Sequence, residues 1–75
     1  MAHIAPIHYK ELVRVFEISG FVLDRREDDH LVYVKVGILR PVVIPTYRQV
    51  PVFIIKNNLR SAGISREEYF RLLKI

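Results

Sequence analysis

Three glycines divide this chain, and the spacing of its apolar residues changes between them. Before Gly20 the apolar residues recur with a helical period. After it, β-branched residues gather in runs that continue past Gly37 to Ile44. From Val52 onward the helical period returns on both sides of Gly63. In 75 residues this order leaves room for one small domain, residues 1–75, and no second. With 51% hydrophobic and 27% charged residues the chain has enough apolar material to fold rather than stay disordered.

The elements follow from local chemistry. Residues 1–6, ending at Pro6, read as a loose lead-in. Tyr9, Leu12, Val13 and Phe16 share one helical face, which predicts a first helix from about His8 to Ser19, with Gly20 supplying a left-handed C-terminal cap. Phe21 to Arg26 reads as a strand, and Glu27-Asp28-Asp29 as a turn. His30 to Val36 is the strongest strand, rich in β-branched residues and tyrosine. Ile38 to Ile44 forms a third strand, with Pro41 best tolerated at a sheet edge. After the loop from Pro45 to Val50, Pro51 suits the first position of a second helix, whose Val52, Ile55, Leu59 and Ala62 share a face. Ser65-Arg66-Glu67-Glu68 is a capping box opening a third helix, with Ile64 and Tyr69 as its hydrophobic staple. The predicted class is α+β in the order α-β-β-β-α-α. Its short connections favour a three-stranded antiparallel sheet with the helices on one face.

What the chain lacks excludes whole classes of function. It has no cysteine, so thiol chemistry, disulfides and Cys-based zinc sites are ruled out. Its glycines are isolated, so no phosphate-cradling loop exists. Three histidines without metal-ligand spacing predict no metal site, and the small size predicts no cofactor. The N-terminus lacks the basic start and apolar run of a signal peptide. No apolar run approaches a membrane span, and the expected location is cytoplasmic.

The charge is unevenly placed. Of a net +4, residues 1–30 carry −2 and residues 65–75 carry +1. Residues 31–64 carry +5 from Lys35, Arg40, Arg48, Lys56 and Arg60, with no acid at all. An acid-free stretch of this length suggests a basic face for a polyanion. Lys35, Arg48, Lys56 and Arg60 are the expected phosphate contacts. Tyr33 and Tyr47, near Lys35 and Arg48, are the aromatics placed to stack on bases, although core or rim packing explains them too. Phe53 and Ile54 lie off the core stripe of the second helix and could either widen the core or meet a protein partner.

His30 is the one residue with a catalytic reading. It opens the strongest strand directly after an acidic turn, where an imidazole could take a hydroxyl proton near neutral pH. The structural alternative is a strand-end histidine paired with those acids, and its parity with Val32, Val34 and Val36 could even turn it toward the core.

Five features together resemble the HicA, or YcfA-like, family of small toxin ribonucleases. They are Ser19-Gly20-Phe21 closing the first helix, His30-Leu31-Val32-Tyr33, Val43-Ile44-Pro45, Asn58-Leu59-Arg60-Ser61-Ala62-Gly63, and Ile64-Ser65-Arg66-Glu67-Glu68-Tyr69-Phe70. They span nearly the whole chain, from His8 to Leu73. The resemblance implies a fold like that of double-stranded-RNA-binding domains and a metal-independent cut in single-stranded mRNA. It also implies His30 as general base and a HicB-like antitoxin as protein partner. The chain departs from the family in having Asp28-Asp29 where Gly-Ser is common and Tyr47 where a histidine is frequent. Val50-Pro51-Val52 replaces a Gly-Thr entry to the second helix. Carboxylates beside the histidine would repel a phosphate, so a non-catalytic RNA-binding or protein-interaction module of the same fold is the alternative.

Overall fold

The computed structural model describes residues 3–75. Helix α1 (Tyr9–Ile18) is followed by strands β1 (Val22–Glu27), β2 (His30–Val34) and β3 (Val42–Pro45), then by helices α2 (Val52–Ala62) and α3 (Arg66–Leu73). The class is α+β and the order is that predicted. The strands form one antiparallel sheet in the order β1-β2-β3. The radius of gyration is 11.4 Å, which is the value one packed domain of this length should have.

Helix α1 begins because His8 caps it, its Nδ1 accepting the amide of Lys10 at 3.1 Å. It ends at Ser19, and Gly20 follows at φ +100°, a conformation that side chains resist. Ser65 caps α3 by accepting the Glu68 amide at 3.1 Å. Glu68 turns its own carboxylate to Arg71, at 3.4 Å, rather than back to the cap. Pro51 stands one residue earlier than expected, as the N-cap of α2.

Alternation along the strands separates two faces. Leu31, Tyr33, Val42 and Ile44 point into the core with Leu12, Val15 and Phe16 of α1, Ile55 and Leu59 of α2, and Tyr69 and Leu72 of α3. His30, Val32 and Val43 occupy the opposite face, which carries no helix. His30 therefore does not face the core, as its parity had left open.

Further boundaries differ from expectation, among them Pro45, which ends β3 rather than opening the loop. Glu27 belongs to β1 and pairs with His30, so the turn is only Asp28-Asp29. The sheet ladder stops at the pair Tyr33–Val42, so residues 35–41 form a connection rather than strand. Val36 and Leu39 there are almost wholly exposed, while Ile38 between them is partly buried against the core. The lead-in is not loose throughout: Ile4 packs against the core and Ile7 bridges Val50, whose amide donates to the Ile7 carbonyl at 2.7 Å.

Candidate functional site

Two depressions carry the residues of interest, and they share none. The first lies on the bare face of the sheet. Val32 and Val43 form its floor and Pro41 one wall, with Arg25, Glu27, Asp28 and His30 around it, enclosing about 300 Å³. His30 is held here by its neighbours in the chain. Asp28 takes φ +54°, the left-handed conformation that a two-residue hairpin turn demands of its first residue. Asp29 then reaches β3: its carbonyl accepts the Thr46 amide at 2.8 Å and the Thr46 hydroxyl at 2.9 Å. With that backbone anchored, Oδ1 of Asp29 lies 2.8 Å from Nδ1 of His30, whose side chain remains 42% exposed. A carboxylate oxygen so close to Nδ1 places a proton there, since two lone pairs would repel. Nε2 is left as the nitrogen able to accept a proton from another molecule.

The surroundings of His30 are acidic. Arg25, the cation in this depression, already holds Asp24 and Glu27, each at 2.6 Å. Arg26 donates from Nε to the Asp28 carbonyl at 3.1 Å.

The second depression lies among the helices and lead-in. Lys56, Leu59 and Arg60 of α2, Ile64, Arg66 of α3, and His3 and Ile4 enclose about 340 Å³. Lys56 and Arg60, expected beside RNA, are thus together but apart from His30. Arg48 and Tyr47 sit exposed on the loop between β3 and α2. Lys35 is occupied: Nζ donates to the Ser19 carbonyl at 2.7 Å and lies 5.8 Å from the centre of the Phe21 ring.

Tyr33 requires a correction. It is only 3% exposed, and its hydroxyl donates to Glu17 of α1 at 3.1 Å. Its ring has no open face to offer a base, because the strand pleat turns it into the core. Burial, aided by the Glu17 contact, pushes its hydroxyl pKa up to about 12. The two alternatives for the second helix divide between its residues: Ile54 is half-buried against the core, whereas Phe53 is 66% exposed and remains available to a partner.

Sequence reasoning had set Asp29 against the function of His30. It had also offered pairing of His30 with the preceding acids as the structural alternative to catalysis, and the Asp29 contact is that pairing. Arg66 and His3 were missed as neighbours of Lys56 and Arg60, because only the break at Gly63 and the course of the lead-in bring them there. Among the described residues no three metal-ligating side chains cluster, and no helix is long and apolar enough to cross a membrane. No protein-family model and no curated protein sequence matches the chain.

Proposed function

We propose that this chain is a small, HicA-like ribonuclease that cuts single-stranded mRNA in the cytoplasm, without metal or cofactor, and is restrained by a HicB-like antitoxin. The observation that carries this reading is the Asp29–His30 contact on the bare sheet face: an accessible imidazole with Nδ1 engaged at 2.8 Å. Nε2 takes the proton of a ribose 2′-hydroxyl as that oxygen attacks the adjacent phosphorus. The 2′-O–P bond forms, the P–O5′ bond breaks, and the departing oxygen takes a proton from water. The products are a 2′,3′-cyclic phosphate and a 5′-hydroxyl end. Lys56, Arg60 and Arg48 hold RNA phosphates away from the cut, Tyr47 offers a stacking ring and Phe53 a contact for the protein partner.

The test is decay of a labelled single-stranded RNA with the purified chain and with His30→Ala and Asp29→Asn. We expect His30→Ala to abolish cleavage and Asp29→Asn to slow it by about 10–100-fold, as loss of an orienting partner does. Equal decay with native protein and His30→Ala overturns the assignment.

One observation favours a second reading, a module that binds RNA without cutting it. The rim of the His30 depression holds Glu27 and Asp28, Asp29 contacts His30 itself, and its arginine is already paired. Salt-dependent RNA affinity with no cleavage product supports this alternative.

A further inference from the structure

The cleft among the helices gathers three cations. Lys56 and Arg60 stand one turn apart on α2, both exposed. Gly63 then takes φ +70°, and the amide of Ile64 closes onto the Leu59 carbonyl at 3.0 Å. This left-handed cap reverses the chain so that Arg66, the first residue of α3, returns to the same cleft. Its guanidinium carbon lies 5.7 Å from the centre of the Phe70 ring, which gives the fork a surface to rest on. Among the described residues no carboxylate lines this cleft. Arg14, Arg25 and Arg71 each hold an acid, but among the described residues Lys56, Arg60 and Arg66 hold none. Three like charges around one concavity repel each other, and a bound anion relieves that repulsion.

The floor narrows the choice of anion. Ile64 and Ile4, both partly buried, provide apolar surface beside the cations. The space of about 340 Å³ lies at the small end of ligand sites. Two guanidinium forks suit the oxygens of a phosphate, and an apolar floor suits the face of a base.

We infer that Lys56, Arg60 and Arg66 form a binding site for one nucleotide unit, its phosphate among the three cations and its base on Ile64 and Ile4. The site extends the RNA-binding part of the proposed function and is independent of the catalytic part, since it shares no residue with the His30 depression. The unit comes either from within a single-stranded RNA or from a free nucleoside monophosphate.

The test uses the full chain and a fluorescent 2′-O-methyl RNA hexamer, which cannot be cut because its 2′-oxygens carry no proton. Anisotropy titrations between about 50 and 200 mM salt compare the native chain, Arg60→Gln/Arg66→Gln, and Lys74→Gln, an exposed cation outside the cleft. Circular dichroism checks that each variant is folded. The double variant should bind at least about tenfold more weakly, with a salt slope shallower by about 0.7, the share of one phosphate contact on a single strand. The same slope in the double variant and Lys74→Gln overturns the site, as does an oligo-glutamate peptide that competes as well as the RNA. Competition by adenosine monophosphate assigns the site to free nucleotides. Its failure, with the RNA still bound, assigns it to a unit within a strand. Both of these results uphold the site. Hexamer binding lost in the double variant, together with no cutting of ordinary RNA by the native chain, would uphold the site and overturn only the catalytic reading.

Discussion

The hydroxyl of Tyr33, in the middle strand, donates to the carboxylate of Glu17 on α1 at 3.1 Å. This contact ties the centre of the sheet to the first helix. Replacing Tyr33 with phenylalanine keeps the ring and removes the bond, at a cost of about 1 kcal/mol at neutral pH in urea unfolding. It also alters the alkaline limb. An unfolded tyrosine titrates near 10, whereas folding pushes Tyr33 up to about 12. The folded chain holds the proton more tightly, so this stabilisation is complete below about pH 10 and is lost as pH rises toward 12. Tyr33→Phe should therefore unfold with a shallower loss of stability over that window. Part of the loss will persist, because burial and the charge of Glu11 push Tyr69 up to about 12 as well.

Asp28 is the non-glycine residue with positive φ among the described residues, at +54°. Asp28→Gly suits that backbone and removes one charge from the rim of the His30 depression. The folded chain should keep its stability to within about 0.5 kcal/mol, because easier access to the left-handed region offsets the added freedom of the unfolded chain. RNA cleavage, measured as decay of a labelled single strand, should rise. Unchanged decay would show that repulsion by Asp28 does not limit the reaction.

The hydroxyl of Tyr69 is buried with no hydrogen-bond partner among the described residues. A buried hydroxyl in that state carries a desolvation cost without return. Tyr69→Phe should stabilise the fold by about 1 kcal/mol, read from the urea midpoint at unchanged slope. A lower midpoint would reveal a partner for the hydroxyl, such as a trapped water.

Arg14 of α1 donates to the carbonyls of Ile75 and, at 2.9 Å, of Leu73. A cation at the end of α3 satisfies carbonyls that the helix leaves unpaired. Arg14→Met keeps most of the apolar stem and should cost about 1 kcal/mol. Amide exchange should quicken at residues 72–75 while that of Leu12 and Val15 in the core of α1 stays slow.

Much of this protein is written in local chemistry. The stripe of Leu12 and Phe16, the caps at Gly20, Gly63 and Ser65, and the β-branched run after His30 each act within a few residues. The helices and two of the strands were therefore legible, and so was their order. Residues 35–41 were not. Ile38 and Val36 have strand propensity, yet the ladder ends before them and only Ile38 packs against the core, so propensity yields to packing. His30 was legible as a histidine at a strand end, since it opens a strand beside a turn. Its face was not, because parity names two sides of a sheet without saying which one the helices cover.

The same limit applies to the aromatic and charged residues. Sequence alone determined that Tyr33 alternates with its neighbours and that five cations lie in an acid-free stretch. Only the tertiary structure decided that Tyr33 points inward to Glu17, and that Lys56 and Arg60 join Arg66 rather than His30. Local hydrogen bonds and backbone preferences depend on residues a few positions apart. Which surfaces meet depends on burying the whole apolar set at once, and that is settled only when all six elements have packed.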